Sequence, residues 1–228
     1  SRVPEIRKHL KKKLDAYRYE HTLGVEFTCQ ALAMRYGYDL DKADLAGLLH
    51  DSAKRFENPV MLQKCLDRGI PVTAEEERDP SLLHAKLGAW MAENKYGVDD
   101  PEILSAITCH TTGKPGMSLL DKILYVADYI EPRRSKAANL PEMRKLAFID
   151  LDQACFEIME SILEYLKSTG CQIDPMTEAA CQDMRRVVSE KQKETAGAAG
   201  ETDQDKEEQS VESVKRNGKA CSRGFGRE

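Results

Sequence analysis

DKADLAGLLHDSAK, residues 41–54, reads as a short buried helix that runs into a pair of metal-ligating side chains. Asp41 offers an oxygen suited to an N-cap, and Ala43, Ala46, Leu48 and Leu49 give the apolar run that a helix buries. His50 and Asp51 close that run, and Lys54 stands one turn beyond His50. Neighbouring residues on a helix point about 100° apart, so a His-Asp pair straddles one edge and can grip an ion seated there. Imidazole and carboxylate together suit a divalent or trivalent transition metal of borderline softness.

On either side the pattern stays helical. Upstream, Pro4 opens a segment with Ile6, Leu10 and Leu14 at helical spacing among Arg7, Lys8 and Lys11 to Lys13. Its basic face reads as solvated, and His9 belongs to that face rather than to the metal set. Ala16 to Tyr36 follows as a helix carrying His21, with Leu23, Phe27, Ala31 and Met34 as its expected core and Gly37 as its C-cap. Downstream, a short helix after Pro59 runs through Leu66, and the acidic run Glu75 to Asp79 reads as an irregular connection. Leu82 to Tyr96 and Pro101 to His110 are the next helices, carrying His84 and His110. Leu119 to Ile130 contains Asp128 near its end, and Pro141 to about Lys167 reads as one long helix. No sustained period-2 pattern occurs, so the expected fold is all-α.

With 228 residues, 41% hydrophobic and 32% charged, the chain suits one globular domain, expected over residues 1–190. The segment 191–228 is nearly devoid of large apolar residues and is expected to be a disordered tail whose partner, if any, the sequence does not name. A formal net charge of −5 argues against broad nucleic-acid affinity. No apolar run approaches the roughly 18 residues of a membrane span and no secretory leader is visible, so the expectation is a cytoplasmic protein. The chain begins with Ser1 rather than methionine, which suggests that the native N-terminus is missing. Seven cysteines, scattered singly, suggest neither a disulfide framework nor a thiolate zinc site, and Cys109 beside His110 has no second soft ligand nearby.

Six candidate ligands then stand out. Asp51 can share its two oxygens between two cations about 3.5–4 Å apart, as two-metal hydrolases do. His50 grips beside it, His21 and Asp128 complete the shell of the first ion, and His84 and His110 serve the second. Six ligands exceed the four that usually close a structural ion, which favours a hydrolase over a metal-stabilised scaffold.

The strings Arg18-Tyr19-Glu20-His21-Thr22-Leu23-Gly24-Val25, Gly47-Leu48-Leu49-His50-Asp51-Ser52-Ala53-Lys54, His84, His110-Thr111-Thr112-Gly113 and Lys122 through Ala127-Asp128-Tyr129-Ile130-Glu131-Pro132 resemble the HD-domain superfamily. More closely, they look like its YqeK-type branch, the symmetrical bis(5′-nucleosyl)-tetraphosphatases, over about Arg18 to Ser189. The resemblance implies an all-helical HD fold and one or two ions of iron, or of a similar metal such as manganese or cobalt. It also implies hydrolysis of diadenosine tetraphosphate to two ADP. It carries metal roles onto His21, His50, Asp51, His84, His110 and Asp128. Ser52, smaller than expected, and the extension past Lys191 depart from the pattern without touching the ligands.

Chemistry of this kind needs cations along the polyphosphate bridge, because negative charge accumulates there. Asp51 and Lys54 are the expected catalytic residues, and Arg18, Lys54 and Arg133 the expected phosphate contacts, with Lys114 and Arg134 ranked lower. Tyr129 and the loop near Thr111 can supply stacking and hydrogen bonds to a base. The partner is thus a small dinucleoside polyphosphate, with a homodimer kept as an oligomeric option. The competing assignments are another nucleotide or alarmone at the same site.

Overall fold

The computed structural model describes residues 2–196. The chain divides into two units, residues 1–185 and 186–228. In the first unit the described residues form helices and connecting turns without a strand. In chain order these are α1 (Val3–Lys13), α2 (Ala16–Tyr36), α3 (Leu40–Leu49), α4 (Asn58–Asp67), α5 (Ala74–Arg78), a 3-10 turn (Pro80–Leu82), α6 (Leu83–Tyr96), α7 (Pro101–Cys109), α8 (Leu119–Ile130), α9 (Leu140–Leu146) and α10 (Leu151–Ser168). Residues 175–185 are helical as well.

Local chemistry sets these limits. The Asp15 side chain accepts from the Arg18 N–H at 2.8 Å to start α2, and Gly37 ends it in the left-handed region at φ 67°. α2 packs on α3 and α8, α3 on α7 and α8, α6 on α7, and α8 on α10. Leu32, Leu48, Leu49, Ile107, Leu120, Ile123 and Leu124 are fully buried between them. Each such side chain contributes about 1.5–3 kcal/mol, so tertiary burial rather than helix propensity holds these short helices. α3 crosses α2 almost backbone to backbone, since a Cβ at Gly47 would lie 2.7 Å from the Glu26 Cα. A second cluster of Ala53, Met61, Cys65, Leu83, Leu87 and Met91 joins α4 to α6.

Several expectations change. The cap of α3 is Asp39, whose side chain accepts from the Lys42 N–H at 3.0 Å, not Asp41. α3 ends at Leu49, and residues 51–55 continue as tight turns in which Ser52 N bonds Leu49 O and Lys54 N bonds Asp51 O. Lys54 therefore does not share a helix face with His50. The acidic run is not irregular: Thr73 and Glu76 form a capping box that nucleates α5. The long helix expected from Pro141 is two, because Asp150 turns extended and caps a new start at Asp152 and Gln153. On α2, Phe27 and Met34 are exposed, while His21, Thr22, Val25, Glu26, Cys29, Leu32 and Ala33 face inward.

Residues 186–196 of the second unit are helical, with Arg186 paired to Glu190 at 3.0 Å. The disorder expected from Lys191 is therefore replaced by helix through residue 196, which the helix-favouring run Lys191 to Glu194 explains. The rest of the expected tail, residues 197–228, lies outside the described residues. No helix among the described residues is long and apolar enough to cross a membrane.

Candidate metal centre

His21 comes from α2, His50 and Asp51 from the end of α3 and the turn after it, His84 from the first turn of α6, His110 from the end of α7, and Asp128 from the last turns of α8. Packing of these helices brings six side chains, up to 107 positions apart in sequence, to one point. Ligand atoms of three overlapping triads lie within 4.8 Å of one another: His21, His50 and Asp51; His50, His110 and Asp128; Asp51, His84 and His110.

Each imidazole has one nitrogen committed to the scaffold. The Nδ1–H groups of His50, His84 and His110 donate to the carbonyls of Gly47, Ser81 and Ile107 at 2.7, 2.6 and 2.7 Å. That of His21 donates to Glu131 Oε1 at 3.0 Å. This fixes the tautomer and leaves every Nε2 as a lone pair aimed inward. His84 Nε2 and His110 Nε2 face each other at 3.1 Å. His21 Nε2 lies 3.1 Å from Asp128 Oδ1, yet it and His50 Nε2 are buried without a hydrogen bond. Lone pairs held this close to one another and to carboxylate oxygens repel unless a cation sits among them, and that is the test a metal site has to pass.

Asp51 is 3% exposed and divides its oxygens. Oδ1 lies 3.5 Å from His84 Nε2 and 3.6 Å from His110 Nε2, whereas Oδ2 lies 3.5 Å from His50 Nε2 and 3.8 Å from His21 Nε2. Electrostatics follow this geometry. Burial would raise the Asp51 carboxyl, but His50, His110 and His84 outweigh it and hold it well below the carboxylate range. For Asp128 burial is likewise outweighed, by His21, His50 and Arg134. Burial, with His110 beside it, pushes His84 down to about 3, which keeps this ring neutral and ready to ligate. In His50 burial is overcome by Asp51 and Asp128, which raise it.

His110 and Asp128 of the cluster line a cavity of about 760 Å³, together with Thr111, Tyr125, Tyr129, Leu140, Ile162 and Leu166. The HD domain profile matches residues 18–133, about half of the chain and all six of these side chains. This chain belongs to the HD-domain family. It is 40% identical over 168 residues to the symmetrical bis(5′-nucleosyl)-tetraphosphatase of Bacillus subtilis strain 168, covering 74% of this chain and 89% of that protein. With the protein of the same name from Halalkalibacterium halodurans it shares 38% identity, covering 75% and 90%. A solved structure from Clostridium acetobutylicum, described as a predicted HD superfamily hydrolase involved in NAD metabolism, superposes with a TM-score of 0.77 at 37% identity, covering 80% of this chain and 96% of that one.

Around the HD cluster the cations fall differently from their sequence ranking. Arg18 pairs with Asp51 Oδ2 at 2.6 Å. Arg134, ranked low, lines the cavity and holds Asp128, its Nη2 2.7 Å from Oδ1 and its Nε 2.9 Å from the main-chain oxygen. Arg133 instead pairs with Glu20 at an exposed position. Lys114 is held by Asp121 at 3.0 Å and by Ser105. Lys54 is half-buried; burial, with Arg18 nearby, lowers its pKa against the pull of Asp51 and Asp128. Thr111 and Tyr129 both line the cavity, and the Thr111 hydroxyl lies 3.2 Å from His84 Nε2.

Sequence reasoning gave Glu131 no role. Its carboxylate is 1% exposed, accepts from His21 Nδ1 with one oxygen and takes the Arg133 N–H with the other at 2.8 Å. Gly24 on α2 leaves it room, since a Cβ there would collide with Glu131 Oε2. Its place three residues after Asp128, at the cap that ends α8, is the signal that could have found it.

Proposed function

We propose that this HD protein is a metal-dependent hydrolase that cleaves diadenosine tetraphosphate and related dinucleoside polyphosphates symmetrically, into two nucleoside diphosphates. What carries the reading is the sharing of Asp51 between two histidine pairs, in a cluster whose His110 and Asp128 line a cavity of about 760 Å³, in a chain 38–40% identical to proteins named for this activity. His21, His50 and Asp128 would hold one ion with Asp51 Oδ2, and His84 and His110 a second with Oδ1. An ion at these ligands supplies Lewis-acid polarisation of a phosphoryl oxygen and a water acidified toward neutral pH. Iron is the metal we assign, with manganese or cobalt as functional substitutes, because four imidazoles and two carboxylates match borderline cations.

The remaining roles belong to the chain's own residues. Arg18 and Arg134 now satisfy Asp51 and Asp128; once those carboxylates are committed to a cation, both guanidiniums are placed to turn to the phosphates, where a planar fork binds two oxygens. Lys54 approaches as a point charge. The wall of Leu140, Ile162 and Leu166 with Tyr129 takes one nucleoside, which fixes how far the bridge reaches toward the metals and hence which phosphorus is attacked. The scattered cysteines, five of them buried among the described residues and none in a disulfide there, suit a cytoplasmic setting.

Protein purified without chelators or a histidine tag, assayed for metal content and incubated with diadenosine tetraphosphate, tests this directly. ADP as sole nucleotide product is expected. AMP plus ATP would overturn symmetrical cleavage, and full activity in protein stripped of metal would overturn the metal assignment.

A further inference from the structure

A second cavity, of about 800 Å³, shares no lining residue with the first. Arg2 reaches it from before α1, His9 and Lys13 from α1, Arg55 from the turn after α3, and Lys95 from α6; Glu5 is the acid on its wall. Four lysines outside this cavity are paired: Lys42 with Asp100 and Glu102, Lys86 with Glu76, Lys114 with Asp121 and Lys122 with Asp152. Here, in a chain with 39 acidic residues against 34 basic ones, three separate segments converge on one concavity with cations that have no ion pair among the described residues.

A solvated basic face spreads like charges apart; this one gathers them. The result is visible in the groups themselves. Burial, then Arg55, Lys13, Lys95 and Lys12, lowers the pKa of His9, and burial, then Arg55, Lys64, Arg68 and Lys13, lowers that of Lys95. Arg2 is fixed at the rim by donating to the Tyr96 and Gly97 carbonyls at 3.1 Å each. Arg55 Nε and the Tyr96 hydroxyl are buried without a protein hydrogen-bond partner among the described residues. Tyr96, with its ring against His9 at 5.8 Å, and Phe56, beneath Arg55 at 4.6 Å, give the cavity an aromatic wall. A pocket of this size fits a small molecule, and clustered unpaired cations fit a dense negative charge.

We propose that this basic cavity is a second ligand site, distinct from the metal centre, which binds the polyphosphate group of a small phosphorylated molecule. Lys13 and Lys95 act as its point charges, and Arg2 and Arg55 as its forks. The ligand is either a nucleoside diphosphate or an inorganic polyphosphate; the two share the chemistry that the cavity recognises.

Equilibrium dialysis of the metal-loaded full chain against inorganic tripolyphosphate tests it. Two classes of binding are expected, one at the metal centre and one that weakens steeply as salt rises. The second class should weaken tenfold or more in Lys13→Ser/Lys95→Ser and vanish in Lys13→Glu/Lys95→Glu. Both lysines are exposed, so these variants should keep the unfolding midpoint within a few degrees and the turnover within twofold. Displacement of the salt-sensitive class by ADP assigns the site to nucleotides, and failure of ADP to displace it assigns the site to inorganic polyphosphate. A single class in the wild type, or undiminished binding in both folded variants, would overturn the site.

Discussion

At the metal centre every imidazole has one nitrogen tied to a carbonyl or to Glu131, so the other can point in only one direction. In the basic cavity Lys13 and Lys95 stand on exposed stems, while Arg2 is anchored by two carbonyls and Arg55 lies over Phe56. The two cavities are of similar size, about 760 and 800 Å³, but they solve opposite problems. A metal ion needs ligand atoms held to within tenths of an ångström, which requires a second layer of hydrogen bonds and a rigid core behind it. An anion of variable shape needs only a positive field, which long flexible side chains supply without preorganisation. Substitutions in the first cavity should therefore have large and specific effects, and those in the second small, salt-dependent ones.

The largest effect is expected at Asp51, the residue shared by both histidine pairs. Asp51→Ala should lose metal and lower turnover at least 100-fold while far-UV circular dichroism stays helical, because Asp51 lies among the ligands rather than in the apolar core. A variant that keeps more than a tenth of wild-type activity in metal-replete buffer would show that the shared geometry is not used.

Next come the cations beside the metal centre. Lys54→Met and Arg134→Ala should each lower kcat/KM by roughly 10- to 1,000-fold with metal content unchanged, the range for removal of one preorganised donor. Arg133→Ala should stay within twofold, since that side chain is committed to Glu20 at the surface. If Arg133 rather than Arg134 proves essential, the guanidiniums must exchange places on substrate binding.

That contrast also shows what a sequence can reveal. Histidine and aspartate carry their chemistry in their side-chain type, so His21, His50, Asp51, His84, His110 and Asp128 could be picked out before any geometry was known. Arg133 and Arg134 are chemically identical neighbours; only the turn after α8, which sends one toward Glu20 and the other over Asp128, separates them. The helical class was legible from periodicity, but the inward stripe of α2 was not. Its core face carries His21, Thr22 and Glu26, and this polar interruption made the exposed Phe27 and Met34 look like core. The break before Asp150 was hidden for a similar reason: apolar spacing continues across it, while α9 ends at Leu146, residues 147–149 turn, and the extended Asp150 caps the start of α10.

Glu131 tests whether the second layer matters as argued. Glu131→Ala should weaken metal affinity by about 10- to 100-fold, the usual cost of removing the partner that orients a ligating histidine. Glu131→Gln keeps an acceptor for His21 Nδ1 and should recover most of that loss. Equal and severe effects of both would mean that the negative charge, rather than the orientation of His21, is what Glu131 supplies.

The smallest effect belongs to the other cavity and carries a sign that distinguishes it. Burial and the neighbours Arg55, Lys64, Arg68 and Lys13 depress the Lys95 pKa in the folded state, so its charged form is less welcome in the folded chain than in the unfolded one. The resulting penalty is fully present below the folded pKa and is lost as pH rises through it toward the unfolded value, about 10.4. Lys95→Ser should therefore raise the unfolding midpoint slightly, by about 1 °C near neutral pH and low salt, since exposed charge pairs are worth at most about 1 kcal/mol. The gain should shrink as pH approaches 10 and again in about 1 M salt, where the Debye length falls to about 3 Å. Tripolyphosphate should reverse the order by stabilising the wild type more than the variant, because a ligand that binds only the folded chain raises its midpoint. A variant less stable than wild type at low salt and without ligand would mean that Lys95 serves packing or pairing, and that its neighbours do not repel it.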